Sequence, residues 1–308
     1  MKSTRKAYGE ALVELGKSDK DVVVLDADLA HATQTLMFKN EFPNRHINVG
    51  IAEQDLVGTA CGLALGGKKV YLSSFAMFLA GRAYEQIRNT AAYSKIPVKL
   101  CATHSGLSVG EDGATHQMLE DISLMRAIPK MVVLSPADEM ATKNIIFNIK
   151  DYDNGPVYVR LGRCDVPSIY NERETFDIGG SKIFGDGTDA TIFATGYTVH
   201  IALEAMQILK QNNVSVRVVD LYSIKPIDRE TVVKCAKETN KILTIEDHSI
   251  IGGIGSAVSD VLSEEYPKKV NRIGVKDLFG KSGTVKDLMN MYGITKEHIV
   301  NEVLKKEE

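Results

Sequence analysis

Four consecutive apolar residues in DVVVLD (Asp21–Asp26) leave no place for a wet face. Side chains alternate along a strand, so a strand built from this run is buried on both sides. Comparable runs recur at Lys69–Ser73, Val98–Ala102, Met131–Leu134 and Val157–Leu161, then at Ala190–Ala194, Val216–Val219 and Ile242–Glu246. Helical periodicity fills the gaps near 52–65, 79–94, 117–127, 137–149, 198–212 and 228–239. A first helix opens at Ser3 or Thr4, and helices near 254–265, 284–292 and 296–306 close the chain. This alternation predicts an α/β chain with mostly parallel sheets covered by helices on both faces.

The pattern lapses over residues 164–189, where Pro, Gly, Asp and Asn mix without periodicity. Two doubly wound domains are expected, 1–170 and 188–308, joined by a linker at 171–187, a division that 308 residues accommodate. A net charge of −3 gives no basic field for nucleic acid. No apolar run approaches the roughly 20 residues of a membrane span. The N-terminus has no apolar signal core, and the four cysteines have no metal-ligand spacing. A cytoplasmic protein with reduced packing cysteines is expected.

Chemistry concentrates in a few stretches. NVGIAEQDLVGTACGLALGG (48–67) opens an apolar helix with Glu53 and Asp55 in its first turn. Each acid fits the helix dipole, and Glu53 also fits a carboxyl that shares a proton with a ligand nitrogen in an apolar pocket. Phe75 and Phe78, three apart, suit either core packing or an aromatic platform for a flat heterocycle. THSGLSVGEDGATHQMLED (103–121) follows a strand and carries His104, Glu111, Asp112 and His116. Loops at strand C-termini bind ligands in such folds, and this one offers hydrogen-bonding groups to a polyhydroxylated substrate. Arg5, Arg160 and Arg163 have the fork geometry that suits a phosphate monoester. GGIGSAV (252–258) departs from a dinucleotide fingerprint, and GDGTD (185–189) precedes a strand instead of closing one, so it is taken as a turn.

Together STRKAYGEAL, VVLDADL, the Glu53 run, SSFAMFLAGRAYEQIR, GEDGATHQ, IFATGYTV, IEDHSIIGGIGSAV and GVKDLFGKSGT resemble, in order, the C-terminal half of transketolase. The resemblance covers residue 3 to the end and implies a pyrimidine-binding domain followed by a transketolase C-terminal domain. It implies thiamine diphosphate as cofactor, with Glu53 sharing a proton with N1′ of the aminopyrimidine and Phe75 and Phe78 packed on that ring. Asp28 matches an aspartate near the thiazolium side. His104, Asp112 and His116 match groups that contact the substrate, with His116 nearest the reacting carbonyl. Arg5 and Arg163 match the arginines for the sugar phosphate. The catalytic pair is then Glu53 and His116, and the reaction moves a two-carbon ketol unit from a ketose phosphate to an aldose phosphate.

The diphosphate-binding half has no counterpart here, so the chain resembles one subunit of a split transketolase. No metal ligands are expected on this chain, since Mg²⁺ would be held by the N-terminal partner subunit. A self-dimer within an α2β2 assembly follows, with weak cofactor binding by the isolated chain. One departure is Ala32, where the family often carries a phosphate-binding serine; Thr33 beside it is a substitute. The rival readings are a 2-oxoacid dehydrogenase β subunit, a 1-deoxyxylulose-5-phosphate synthase-like enzyme and a catalytically silent partner. They are disfavoured by GEDGATHQ, by the absence of an arginine near His104, and by the joint presence of Glu53, His104 and His116.

Overall fold

The computed structural model describes residues 1–305. Its larger sheet has seven strands in the order Ser223–Lys225, Val132–Leu134, Val157–Arg160, Lys99–Thr103, Lys69–Phe75, Val22–Asp26, His46–Asn48. All neighbours are parallel except the first pair. The smaller sheet runs Val270–Val275, Lys241–Ser249, Ala190–Ala194, Val216–Asp220, Lys182–Phe184, with only the last pair antiparallel. No helix among the described residues is long and apolar enough to cross a membrane.

The apolar runs do what their pattern requires. Every residue of Val22–Asp26 is buried. Val22, Val24, Tyr71, Val157 and Val159 pack on one side with Tyr8, Leu12, Leu15 and Ile145. Val23, Leu25, Val70, Leu72 and Tyr158 pack on the other with Leu56, Val57, Leu79 and Ile87. Each fully buried Val or Leu contributes about 1.5–3 kcal/mol, so neither helical layer can be removed without loss of the sheet.

Several local expectations change. The first helix, Thr4–Ser18, is not capped by a side chain at Ser3; Thr4 Oγ1 instead accepts the Gly162 N–H at 2.8 Å. The span 79–94 is not a regular helix. It is broken into wide turns at Met77–Arg82 and Ile87–Tyr93 around Tyr84–Gln86. The helix expected at 117–127 covers only Asp121–Ala127, because Gly106 N–H bonds to Met118 O and holds the preceding residues in a loop. The expected linker 171–187 contains the strand Lys182–Phe184, with Phe176 buried beside it; isolated apolar anchors among Gly and Asp leave no period to detect. The final helix ends at Leu304, and position 306 of the expected span lies outside the described residues. The four cysteines are unpaired, and burial pushes the Cys61 and Cys101 thiols up to about 12.

The two halves are fastened together. Ser223–Lys225 comes from the second half of the chain yet forms the edge of the first sheet, and Lys225 Nζ donates to Arg126 O and Ile128 O. One apolar cluster runs through both halves, joining Val132 and Leu134 to Ala190, Val199 and Leu243.

Candidate active site

The parallel strands of the larger sheet end at Asp26, Asn48, Phe75, Thr103 and Arg160, all on one edge. Each expected site residue except Arg5 lies at or after one of these ends, where α/β sheets bind ligands. Asp28 takes a left-handed conformation (φ 60°), which aspartate tolerates. It is fixed by Asn48 in a reciprocal pair: Asp28 N–H donates to Asn48 Oδ1, and Asn48 Nδ2 donates to Asp28 Oδ1, both at 3.0 Å. Beneath it Asp26 is buried against His46 Nε2 at 2.6 Å and accepts the Leu29 N–H.

Glu53 and Asp55, neighbours in sequence, part company. Asp55 is exposed, as a first-turn acid on the solvent face should be. Glu53 is 1% exposed and sits at the first turn of the helix Glu53–Leu65. Its Oε2 accepts from Arg82 Nη1 at 2.6 Å, and the Ser74 hydroxyl approaches Oε1 at 3.5 Å. A buried carboxylate with one charged partner keeps acceptor capacity for a further donor.

Four rings converge beside it. Phe75 and Phe78 are nearly parallel (14°) with centroids 5.7 Å apart. His104 stacks on Phe75 at 3.8 Å, and His116 meets Phe78 edge-on at 5.3 Å. The Arg82 guanidinium lies over Phe78 with its carbon 5.0 Å from the centroid. Thus Glu53 and the rings share one neighbour, a flat N–H donor.

His104 is 3% exposed and left-handed (φ 56°). Its Nδ1 lies 2.9 Å from Thr103 Oγ1 and its Nε2 lies 3.4 Å from Arg5 Nη1. Arginine only donates, which assigns Nε2 as acceptor and the ring proton to Nδ1. Burial, then the charges of Arg5, Arg163 and His116, pull the His104 pKa down to about 3. A folded pKa below the unfolded value of 6.5 means that the unfolded chain binds the extra proton between those two values. The stability His104 contributes is therefore present above pH 6.5 and lost as the pH falls. Between about pH 7 and pH 5 the loss from this group is about 2 kcal/mol. Thermal unfolding of His104→Gln should show a smaller drop over that interval than the native chain; equal drops would contradict a neutral, desolvated His104.

The arginines divide. Arg5 donates to Ala32 O at 2.8 Å and reaches His104, while Arg163 donates to Val109 O at 2.6 Å and lies 3.7 Å from Asp112. Arg5 thus borders the ring cluster at His104, and the charge of Arg163 is felt there. Arg160 does not serve as a phosphate fork. It is 5% exposed, with Nε on Asp121 at 2.9 Å and Nη2 on Asp247 O at 2.8 Å. Thr33 is not a free hydroxyl in place of serine, since it is buried and bonded to Leu29 O. Among the described residues Asp28 makes no hydrogen bond or ion pair with the ring cluster.

The 103–121 loop is held from the other half of the chain. Asp247 accepts the backbone N–H groups of Leu107 (2.7 Å) and Ser108 (3.2 Å), and Gln117 Nε2 donates to Lys281 O at 2.9 Å. Gly106 (φ 73°) lies so close that any Cβ there would overlap the Asp247 carboxylate. Nothing in the local sequence marks Asp247, Gln117 or Asn48 for these tasks. Arg82 alone carries a signal, four residues past Phe78 on a helical pattern.

The remaining glycine motifs are structural. Glu246 accepts from Ile254 N (2.7 Å) and Gly255 N (2.9 Å), so its carboxylate fills the helix N-terminus a nucleotide phosphate would need. Burial raises the Glu246 pKa to about 7 against those two N–H groups. Gly187 lies in the turn before Ala190–Ala194, with its carbonyl bound by Arg217.

Residues 1–168 match the family model described as "Transketolase, pyrimidine binding domain", and residues 179–299 match "Transketolase, C-terminal domain". The chain is 53% identical over 306 residues to a "transketolase C-terminal section" of Methanocaldococcus jannaschii, covering 98% of this chain and 96% of that protein. It is 39% identical over 305 residues to one subunit of an apulose-4-phosphate transketolase of Phocaeicola vulgatus, covering 99% and 97%. A solved "Split gene transketolase, inactive beta4 tetramer" superposes with a TM-score of 0.91 at 46% identity, over 98% of this chain and 97% of that one. The chain belongs to the transketolase family and comprises its pyrimidine-binding and C-terminal domains.

Proposed function

We propose that this chain is the pyrimidine-side subunit of a two-subunit transketolase. With a diphosphate-binding partner it transfers a two-carbon ketol unit from a ketose phosphate to an aldose phosphate. The observation that carries the reading is the buried Glu53 carboxylate, 2.6 Å from a flat N–H donor that also lies over Phe78. A carboxylate and an aromatic face that hold a guanidinium in this way fit an aminopyrimidine, which offers the same in-plane donors and a flat π face. When bound, thiamine diphosphate supplies the electron sink for cleavage of a carbon–carbon bond.

The residues of this chain have separate tasks. Glu53 holds the proton shared with the ring, at a site screened from water, where such a hydrogen bond is stronger. Phe75 and Phe78 fix the ring plane. His104, neutral and stacked, hydrogen-bonds substrate hydroxyls without adding charge. His116 has Nδ1 turned to Thr115 Oγ1 at 2.9 Å, which leaves Nε2 to exchange a proton with the substrate. Arg5 and Arg163 bind the phosphate tail, and Asp112 beside Arg163 contacts sugar hydroxyls. Arg5 is oriented by a backbone carbonyl, so alanine at position 32 is no obstacle. Asp28 with Asn48 borders the thiazolium side. Mg²⁺ and its ligands belong to the partner, and the assembly is α2β2 in the cytoplasm. Two relatives support a divided enzyme, since one is named as a single subunit and the other as the product of a split gene.

Mixed with a diphosphate-binding subunit, thiamine diphosphate and Mg²⁺, the chain should convert xylulose 5-phosphate and ribose 5-phosphate by two-carbon transfer. Neither chain alone should turn over. Failure of transfer alongside turnover of pyruvate or another 2-oxoacid would overturn the reading.

A further inference from the structure

We infer that Arg82 is an internal occupant of the pyrimidine subsite, which must swing out before cofactor can enter. This rests on the thiamine reading of Glu53. Arg82 closes the wide turn Met77–Arg82 that also carries Phe78. Its guanidinium makes the two contacts a flat heterocycle would need, one to Glu53 Oε2 at 2.6 Å and one over the Phe78 ring at 5.0 Å. Guanidinium and pyrimidine thus compete for one oxygen and one ring face.

The physical need for an occupant is plain. A carboxylate 1% exposed and without a charged or hydrogen-bonding partner carries a desolvation penalty, which Arg82 relieves. The exposures are unequal, 50% for the Arg82 side chain against 1% for Glu53. The arm that moves is therefore the solvent-facing one, and the group that stays is the buried one. Only the side chain need leave: the Arg82 carbonyl accepts from Gln54 Nε2 at 3.4 Å, which holds its backbone. Unlike the surface pairs Lys68–Asp21 and Lys296–Glu204, this ion pair spans a solvent-facing arm and a functional acid.

The test uses the full chain and 4-amino-5-hydroxymethyl-2-methylpyrimidine, with affinity measured by ligand-observed NMR. Arg82→Ala should bind the pyrimidine about two- to fivefold tighter than the native chain, the gain expected when a half-exposed ion pair no longer competes. Arg82→Lys, which keeps the charge but not the flat face, should fall between them. Arg82→Ala should also melt at a lower temperature without ligand and gain more from saturating pyrimidine. Arg82→Gln serves if the alanine variant does not fold. Equal or weaker pyrimidine binding by the neutral variants, with measurable binding by the native chain, would overturn the inference and leave the thiamine reading standing. No binding by any folded variant at millimolar pyrimidine would overturn both.

Discussion

Glu53→Gln in the reconstituted pair should lose about a thousandfold in kcat for two-carbon transfer, with little change in KM for either sugar. Glutamine has the same shape and can still accept from Arg82, but it cannot hold a proton shared with a ring nitrogen. Positioned acid–base groups contribute roughly 10²–10⁴-fold, which sets the scale. The fold should survive, because Glu53 enters the core through one ion pair with a half-exposed partner and not through the apolar layers. Circular dichroism should match the native chain, and the melting temperature should move by only a few degrees. A variant with turnover within about tenfold of native would remove Glu53 from the chemistry.

Arg160→Met should cost about 3–5 kcal/mol of stability, measured by denaturant unfolding. Arg160, Asp121, Tyr158 and Asp247 are each no more than 5% exposed. Arg160 and the Tyr158 hydroxyl both donate to Asp121 Oδ2 at 2.9 Å, and Arg160 also binds the Asp247 carbonyl. Methionine fills similar space but leaves a buried carboxylate with its positive partner gone. Replacing Asp121 with leucine in the same chain should recover part of the loss, because the unpaired charge then disappears. Sugar affinity should weaken as well, since Asp247 holds the loop that carries His104 and His116. A cost under about 1 kcal/mol would show that the seam between the halves does not depend on this network.

The parts of the fold legible in the sequence are those with a strong period. Val22–Leu25 is apolar at four successive positions, so a strand built from it must be covered on both faces. The helix Ile254–Glu265 and the strand Ala190–Ala194 are equally plain in the pattern. Lys182–Phe184 and Ser223–Lys225 are not. Each is three residues long, and each forms because a distant strand offers an edge. The breaks in 79–94 are hidden for another reason, since a wide helical turn shifts the phase of the pattern without removing its apolar residues.

The candidate site divides along the same line. Glu53, the phenylalanine pair and the two histidines stand out because each is costly or unusual where it occurs, such as an acid opening an apolar helix. Their roles come from resemblance to a family and not from spacing. Arg160 shows the limit: at a strand end it has the chemistry of a phosphate fork, and burial commits it to Asp121 instead.

The sequence by itself determined the layered α/β architecture and the strand ends near which chemistry gathers, because hydrophobic burial reads the local order of side chains. Tertiary structure alone decided that Arg82 lies on Glu53, that Asn48 holds Asp28, and that Asp247 and the Lys281 carbonyl hold the histidine loop from the other half of the chain. Those contacts link residues up to 164 positions apart. A hydrogen bond forms wherever folding brings donor and acceptor within about 3 Å, and nothing in either local sequence names the other.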